Sequence, residues 1–432
     1  MVILAGYRLA MRSAKPFAGW WLNRRTRRGK EVAERLSERE GIATERRTKG
    51  RLLWAHAASV GEATALRTVV ARLLARHTDL TILLTTVTVT SANMVASWSQ
   101  DRLIHQFVPL DHPDYVNRFI DYWQPTAAVW VESELWPNLL RELRRRQVPA
   151  ILLNARMSPS SFRTWSFVPG TARRLLSVFS AILPASDDAA RMFQRFAPDR
   201  LGAVGNLKLA NPHPGMNEAA LSSLRRAIGD RRVWIAASTH DGEEQLVLAA
   251  HNKLVGQFGD LLTIIVPRHP NRGDAIATMI ATQGHTVVRR SNAALPDAST
   301  TIYLADTMGE MGTLYSVANV AFVGGSLVPV GGHNPIEPVM LGKPVVVGPH
   351  SFAFVDEVSF LLSEGGAKQI MTSEDLAPTV AELLADPIAQ KRLERIGQRV
   401  RDTGAAIEDA AVAAVEELLP SSRSSAASVG AL

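Results

Sequence analysis

From residue 51 onwards, short runs of apolar and β-branched residues alternate with stretches whose apolar residues recur at helical spacing. In the first half of the chain, the predicted strands are 51–57, 80–88, 126–131, 149–153 and 179–183, and the predicted helices between them include 62–77, 136–146 and 186–196. Strands and helices that alternate at this spacing are typical of βαβ units. The pattern therefore predicts a parallel sheet with helices on both faces.

A stretch rich in Gly, Pro and Asn at residues 206–216 interrupts this pattern and predicts a linker. Beyond it the alternation resumes, with predicted strands near 232–237, 261–266, 285–289, 300–304, 319–323 and 344–347. The chain therefore reads as two doubly wound α/β domains, residues 51–205 and 217–419, and a Ser/Ala/Gly-rich tail at 420–432 that we expect to be disordered. Ligands of such sheets bind at the carboxyl ends of the strands.

The segment 1–50 lies outside the pattern and is strongly basic. Residues 1–51 hold 14 Lys and Arg against 5 Glu, whereas the whole chain has a net charge of only +7. Cations interrupt its apolar start, which argues against a spanning helix. Trp20 and Trp21 then precede a cluster of five cations, a combination that suits a lipid headgroup layer. We predict a helix that lies in a membrane interface on the cytoplasmic side; the alternative is a basic helix packed on its own domain.

Composition excludes several classes of chemistry. The chain has no Cys, so it has no disulfide, no thiolate metal site and no cysteine nucleophile. Its 11 His residues show no metal-binding spacing, and the Walker lysine loop, the Gly-x-Gly-x-x-Gly fingerprint and the Gly-x-Ser-x-Gly elbow are missing. We therefore expect no metal and no resident cofactor. Because the basic residues gather at one end and do not spread along the body, we expect no nucleic-acid partner.

Candidate residues follow the strands of the first domain. Ser59, Gly61 and Glu62 follow the first strand, where a carboxylate is well placed as a general base, although Ser59 and Glu62 also match a helix capping box. Glu132 follows the strand at 126–131. Arg156 follows another strand and suits either an anionic sugar or phosphate or a structural ion pair.

Two loops of the second domain suit an anionic ligand. Arg268 and His269 come directly after an apolar strand, and a guanidinium group offers a planar fork of donors to phosphate. Gly309 and Glu310 stand at a predicted helix start that follows the strand at 300–304.

A third loop holds two Gly-Gly pairs and then Asn334, Pro335, Ile336 and Glu337 at another predicted helix start. The backbone amides of a helix start attract phosphate. Glu337 would repel a phosphate, so we expect its carboxylate to accept hydrogen bonds from sugar hydroxyls.

The ordered set of these loops resembles 3-deoxy-D-manno-octulosonic acid (Kdo) transferases, the membrane-bound glycosyltransferases of lipopolysaccharide synthesis. The segments that carry the resemblance are SVGE (59–62), TTVTVTSA (85–92), PLDHP (109–113), ESELWPN (132–138), NARMS (154–158), PRHP (267–270), DTMGE (306–310) and GGHNPIEP (331–338). They occur in order between about residue 50 and about residue 400. The basic N-terminal segment is also similar to that of the family.

The resemblance implies a GT-B fold, with two Rossmann-like domains of which the first binds the acceptor and the second the nucleotide. It implies an inverting transfer of Kdo from CMP-Kdo to a lipid A precursor such as lipid IVA, at the cytoplasmic face of the inner membrane and without a cofactor. Glu62 corresponds to the catalytic base. The residues that correspond to the CMP-binding segments are Arg268, His269, Gly309, Glu310, Met311, Asn334, Pro335, Ile336 and Glu337. Ser59, Gly61, Glu132 and Arg156 are expected near the acceptor or the donor sugar.

Two other functions remain open at this point. Another GT-B sugar transferase or a nucleotide-sugar epimerase would share the two domains and the glycine loops, although epimerases are soluble and would not need the basic segment. A membrane-surface protein that only binds a nucleotide is the non-enzyme alternative, and in it Glu62 would serve only as a helix cap.

Overall fold

The computed structural model describes residues 2–98, 100–210, 215–386 and 389–420. They form two compact units. The first contains the described residues up to 210 and those from Thr403 onwards, and the second contains those in between.

The sheet of the first unit is parallel and has the strand order β3-β2-β1-β4-β5-β6. Its strands are β1 (Arg51–His56), β2 (Leu80–Thr86), β3 (Leu103–Phe107), β4 (Ala127–Val131), β5 (Ala150–Ala155) and β6 (Phe179–Pro184). The register places Leu53 between Ile82 of β2 and Ala127 of β4. The order changes direction at β1, so the loops after β1 and its neighbours form the switch point at which such sheets bind ligands.

Helices cover both faces of this sheet. In chain order they are α1 (Val2–Ser13), α2 (Lys15–Thr26), α3 (Leu36–Arg39), α4 (Val60–Arg76), α5 (Val89–Ala96), α6 (Pro113–Trp123), α7 (Pro137–Arg145), α8 (Pro159–Phe167), α9 (Pro169–Leu176) and α10 (Asp187–Gln194). Because successive side chains of a strand point to opposite faces, Leu53 and Ala55 of β1 join one apolar cluster, and Leu52 and Trp54 join the other.

The second unit repeats the design with a parallel sheet of order β13-β12-β11-β7-β8-β10-β9. Its strands are β7 (Val233–Thr239), β8 (Leu262–Pro267), β9 (Val287–Arg289), β10 (Ile302–Leu304), β11 (Val320–Val323), β12 (Val345–Val347) and β13 (Ala367–Gln369). The helices that begin in this unit are α11 (Glu218–Ile228), α12 (Glu243–Val255), α13 (Gly273–Thr282), α14 (Met311–Val317), α15 (Ile336–Met340), α16 (Val355–Glu364), α17 (Leu376–Ala385) and α18 (Ala389–Glu416).

The predicted strands and helices are present, with ends that shift by a few residues. Two edge strands, β3 and β13, were not predicted. The first three residues of β3 are only half-buried, and its sequence Leu-Ile-His-Gln-Phe accordingly mixes polar and apolar residues. Strand β13 is only three residues long. Both lack the continuous apolar run of a central strand.

The predicted domain boundaries need two changes. The second domain was expected to continue to residue 419, but residues from Thr403 onwards belong to the first unit. Their apolar residues Ala411, Val412 and Val415 complete one of its clusters. In the predicted linker 206–216, Leu207–Ala210 forms a 3₁₀ turn in the first unit. Residues 211–214 of that linker, and all of the predicted disordered tail beyond residue 420, lie outside the described residues.

The basic N-terminal segment begins with α1 and α2, which pack on the first unit. Tyr7 Oη donates to Asp111 Oδ2 at 3.0 Å, Lys15 Nζ lies 3.1 Å from Asp114 Oδ2, and Leu22 is buried. None of the helices in the described part of the chain combines the length and the apolar character needed to cross a bilayer.

Candidate active site

Glu62 lies in the first turn of α4, directly after the loop that follows β1. Ser59 caps this helix, and its Oγ accepts a hydrogen bond from the Glu62 N–H at 3.3 Å. The Glu62 carboxylate accepts hydrogen bonds from Ser59 Oγ at 2.9 Å and from the Ala58 N–H at 2.8 Å. In the predicted capping box the carboxylate would bind the N–H of Ser59 itself. It therefore reaches one residue further back than that motif.

The environment of Glu62 raises the pKa of its carboxyl group to the neutral range. The residue is only 6% exposed. Burial is the largest influence and raises the pKa of Glu62; the bonds from Ala58 and Ser59 lower it, and the nearby charges of Glu132 and Glu134 raise it. The net result is a pKa of about 7. A carboxylate with a pKa near the working pH is suited to take up a proton as a general base.

Glu132 and Asn154 meet beside this helix start. Glu132 follows β4 and Asn154 is the penultimate residue of β5, and their φ angles of +59° and +51° are in the left-handed region. Such backbone is uncommon outside glycine and clusters at functional sites. It places Asn154 Nδ2 3.4 Å from Glu132 Oε1.

Two cations flank the Glu132 carboxylate. Arg156 Nε lies 3.4 Å and Lys208 Nζ lies 3.1 Å from Glu132 Oε1. The ion pair, which was one of the two alternatives for Arg156, is therefore present. A Cβ atom on Gly61 would lie 3.9 Å from Lys208 Nζ, so this ammonium group stands beside the start of α4.

Lys208 was missed because its segment was assigned to the linker. The segment is instead tied to the sheet, since Asn154 Oδ1 accepts a hydrogen bond from the Leu207 N–H at 2.9 Å. The signal in the sequence that could have identified it is a single Lys between Leu207 and Leu209, which are both buried. The structure thus brings the predicted residues of the first domain to one edge of its sheet and adds Lys208 to them.

In the second unit, Arg268 and His269 follow β8, and both side chains are exposed. The Arg268 N–H donates to the Thr239 carbonyl at 3.0 Å and so joins the ends of β7 and β8. Within the described residues, no side chain forms a hydrogen bond or ion pair with the Arg268 guanidinium, which leaves it available to an anion.

Two further histidines lie near Arg268 and were not predicted. The Nε2 atoms of His240 and His333 are 2.8 Å apart, and their rings are stacked, with centroids separated by 5.1 Å. Burial, the His240 ring, Arg268 and His269 lower the pKa of His333 to about 4. Burial also lowers the pKa of His240, so both rings are predominantly neutral at pH 7 and one donates to the other. Across the described ranges, no group of three or more His, Cys, Asp or Glu side chains is arranged to hold a metal ion.

The loop with Gly309, Glu310 and Met311 is fixed by an ion pair. Gly309 has a φ of +82°, and Met311 begins α14. Arg290 Nη2 lies 2.6 Å from Glu310 Oε1, and Thr307 Oγ1 donates to the same carboxylate. The Glu310 carboxylate thus already has a cationic partner.

The segment Asn334–Glu337 forms its own turn at the start of α15. Asn334 Oδ1 accepts a hydrogen bond from the Ile336 N–H at 3.0 Å, and Asn334 Nδ2 donates to Glu337 Oε1 at 3.2 Å. The sequence predicted that the backbone amides of this helix start bind phosphate. The Ile336 N–H instead donates to a side chain of the protein. Burial raises the pKa of Glu337, and the bond from Asn334 offsets this only in part.

Glu243 organises the glycine loop that follows β11, and sequence reasoning missed it as well. Its buried carboxylate accepts hydrogen bonds from four backbone N–H groups, those of His240, Gly325, Ser326 and Leu327, at 2.7–3.1 Å. An acidic residue in the first turn of a helix is so common that it gave no distinct signal.

Solved structures with a similar fold include a putative UDP-N-acetylglucosamine 2-epimerase from Listeria monocytogenes. It aligns with a TM-score of 0.58 at 15% identity, over 85% of this chain and 97% of that one. This likeness concerns the fold alone and confirms two parallel-sheet α/β domains of the GT-B type.

Sequence comparisons are more specific. The family model described as 3-deoxy-D-manno-octulosonic-acid transferase (kdotransferase) matches residues 34–211. The 3-deoxy-D-manno-octulosonic acid transferase of Haemophilus influenzae is 34% identical over 81% of this chain and 82% of its own length. A probable mitochondrial 3-deoxy-D-manno-octulosonic acid transferase of Arabidopsis thaliana is 36% identical over 92% of this chain and 91% of its own length. This chain therefore belongs to the Kdo transferase family of glycosyltransferases.

Proposed function

We propose that this Kdo transferase takes the sugar from CMP-Kdo and attaches it to a lipid A precursor such as lipid IVA, with Glu62 as the general base. Membership of the family supplies the transferred sugar. The observation that carries the assignment of the base is the buried Glu62 carboxyl, whose pKa of about 7 allows it to accept and release a proton at neutral pH.

In the proposed step, an acceptor hydroxyl gives its proton to the Glu62 carboxylate as its oxygen attacks the anomeric carbon of Kdo. The bond from that carbon to the phosphate oxygen of CMP breaks, and CMP leaves with the electron pair. Attack opposite to the leaving group inverts the configuration. The two hydrogen bonds from Ala58 and Ser59 hold the carboxylate in place before substrate arrives.

Kdo is an acid sugar, so its carboxylate needs a cationic partner near Glu62. Lys208 and Arg156 stand beside Glu132 at this edge of the sheet. We assign them to the electrostatic support of the reacting sugar, with Glu132 holding both cations in position.

The nucleotide is assigned to the second unit. We assign Arg268, whose guanidinium is exposed and unpaired among the described residues, to the neutralisation of the phosphate that carries the leaving charge. Glu337 and Asn334 are assigned to the sugar hydroxyls of the nucleotide. This assignment requires no resident cofactor.

The site is proposed to work at the cytoplasmic face of the inner membrane, where the amphiphilic acceptor lies. The exposed rings of Trp20 and Trp21 and the cations that follow them on and after α2 support this location.

The first test uses purified full-length protein, CMP-Kdo and lipid IVA, with the mass of the lipid product as the readout. Product should gain the mass of Kdo. Glu62→Gln keeps the size of the side chain and removes the proton acceptor, so turnover should fall by about 10²–10⁴.

A matched control is Glu218→Gln, which changes the same residue type at an exposed position in the first turn of α11 and should leave turnover unchanged. CMP affinity and the circular dichroism spectrum show whether each variant is folded. Wild-type turnover in folded Glu62→Gln protein would remove Glu62 from the role of base.

A further inference from the structure

An apolar cavity of about 460 Å³ lies between α2 and the carboxyl edge of the first sheet. Phe17, Trp20 and Trp21 line it from the helix, while Val87 and Trp136 line it from the loops after β2 and β4. The three rings of α2 also reach the surface, with Phe17 69% and Trp20 61% exposed. A volume of this size falls in the range of about 300–1,000 Å³ that is typical of small-molecule sites.

A second cavity of about 280 Å³ lies between α1 and the helices α7 and α9. Four arginines line it, namely Arg8, Arg141, Arg144 and Arg174, and the described residues around it include no Asp or Glu. The Arg8 Nε atom is buried and has no hydrogen-bond partner in the described part of the chain. Burial is the largest cause that lowers the pKa of Arg8, the charges of Arg141, Arg12 and Arg145 lower it further, and the charge of Glu142 only partly offsets this. Of the four arginines, Arg141 is paired with Glu142 at 3.1 Å, so the cluster keeps an excess of positive charge.

The two cavities adjoin each other and lie near the proposed base. Trp136 lines the first and Pro137, the next residue, lines the second. On the other side, the Val87 N–H donates to the Ala58 carbonyl at 3.2 Å, and the Ala58 N–H donates to Glu62 Oε2. The backbone of one residue, Ala58, thus links the wall of the apolar cavity to the carboxylate.

We propose that α1, α2 and this edge of the sheet form the binding site for the lipid part of the acceptor. One acyl chain fills the apolar cavity, and a phosphate group of the same molecule binds among the four arginines. This inference rests on the proposed function, because it requires that the acceptor is a phosphorylated lipid.

The position of the site favours the acceptor over a phospholipid of the bilayer. A lipid that only anchors the protein could bind anywhere on the exposed faces of α1 and α2. A chain in this cavity instead fixes a sugar headgroup at the edge of the sheet where Glu62 lies. Apolar walls beside a cluster of four arginines with an excess of positive charge match one molecule that carries both an acyl chain and a phosphate.

The test for the acyl chain compares kcat/KM for lipid IVA with kcat/KM for the same phosphorylated disaccharide without its acyl chains. Ala18 lines the apolar cavity from α2, so Ala18→Phe should fill the cavity and lower the ratio of the two values at least about tenfold. Asn23→Phe adds the same ring to an exposed position of α2 that does not line the cavity, and its ratio should equal that of the wild type.

The test for the phosphate compares lipid IVA with its dephosphorylated form. Arg174→Gln should lower the advantage of the phosphorylated acceptor about tenfold, the scale of one charge-assisted hydrogen bond. Arg173→Gln is the matched control, because Arg173 is the exposed neighbour that does not line the cavity.

Binding without turnover gives a second readout. A lipid IVA analogue with brominated acyl chains should quench the fluorescence of Trp136, measured as the difference between the wild type and Trp136→Phe. Absence of this quenching, or unchanged ratios in Ala18→Phe and Arg174→Gln, would overturn the inference. Bromine quenching by a brominated phosphatidylglycerol as strong as that by the analogue would assign the cavity to bilayer lipid instead. If the wild type transferred Kdo to none of these acceptors, the proposed function itself would fail.

Discussion

The surroundings of Glu62 both raise and lower the pKa of its carboxyl group. The hydrogen bonds from Ala58 and Ser59 stabilise its charged form, whereas burial and the charges of Glu132 and Glu134 disfavour it. Burial outweighs the bonds, because two donors do not replace the hydration that a carboxylate has in water. The hydrogen bonds of a helix cap and a pKa suited to catalysis therefore occur in one residue, and the choice between cap and base that the sequence left open is not exclusive.

The pKa of Glu62 predicts how activity depends on pH. Below about 7 the carboxyl is protonated and cannot accept a proton, so log kcat/KM should rise with pH and level off above that value. Glu134→Gln removes a charge that raises the pKa of Glu62, so the midpoint should move to lower pH. A profile with no change between about pH 5 and about pH 9 would contradict the role of Glu62.

At the scale of elements, the loops at the carboxyl ends of the strands carry unusual backbone. Glu132, Asn154 and Ser238 all have positive φ, at +59°, +51° and +57°, and each follows or ends a strand of a sheet. The surrounding sheet imposes these conformations, which cost about 1–3 kcal/mol each. These conformations direct the side chains toward the sheet edge, whereas a regular strand end would direct them elsewhere.

The glycine loop after β11 depends on the carboxylate of Glu243, which accepts hydrogen bonds from its backbone N–H groups. We predict that Glu243→Gln replaces one acceptor oxygen by an amide that cannot accept, which leaves buried N–H groups of the loop unpaired at about 1–3 kcal/mol each. Hydrogen exchange of the amides of residues 325–327 should therefore become about ten- to a hundredfold faster, and CMP should bind more weakly.

The matched control for this prediction is Asp241→Asn, two residues before Glu243 in the loop between β7 and α12. The Asp241 side chain is 98% exposed, so its loss should change stability by no more than about 0.5 kcal/mol. Equal exchange rates in Glu243→Gln and the wild type would show that other contacts hold the glycine loop.

Apolar patterning was sufficient to predict the central strands, the helices between them and the loops that carry Glu62 and Arg268. Patterning acts through burial, so it identified the elements with continuous buried runs and missed the edge strand β3. The sequence analysis did not predict Lys208 and His333, because their roles depend on contacts with Glu132 and His240. These partners are 76 and 93 residues away in the chain. Such pairings arise from the tertiary fold and leave no local periodicity.

At the scale of the whole molecule, the chain returns to its first unit at the end. Residues from Thr403 onwards in α18 belong to that unit, and Arg72 of α4 pairs with Glu408 and Asp409 at 3.2 and 2.5 Å. The sequence pattern of α18 is a continuous amphipathic helix, so nothing local marked the change from one unit to the other.

The N-terminal arm, defined here as α1, α2 and residues 27–30, packs on its own domain and keeps the surface features that predict membrane binding, the other alternative that the sequence left open. Its inner contacts attach it to the first unit, through Tyr7, Lys15 and the ion pair of Arg25 with Glu31 at 2.7 Å. Its outer surface presents exposed aromatic rings and cations, as an interfacial helix does. Packing on its own domain is therefore compatible with membrane binding.

The last prediction separates these roles by changing only the outer cations of the arm. Arg24, Arg27, Arg28 and Lys30 are exposed, and replacing all four by Gln leaves the ion pair of Arg25 with Glu31 intact. Each cation near an anionic surface contributes about 1 kcal/mol, so binding to vesicles that contain phosphatidylglycerol should weaken at least about tenfold, whereas the weaker binding to phosphatidylcholine vesicles should not change. High salt should reduce the difference, since it screens exposed charges.

The control carries the same loss of charge in the second unit, with Gln at the exposed positions of Arg225, Arg226, Lys253 and Arg395. Cosedimentation with the two kinds of vesicle measures both variants. Because the cations of the arm follow Trp20 and Trp21 in a single segment, only their removal should release the protein from anionic vesicles. An equal loss in the two variants would mean that the attraction follows the net charge of the chain and that the arm is not the membrane contact.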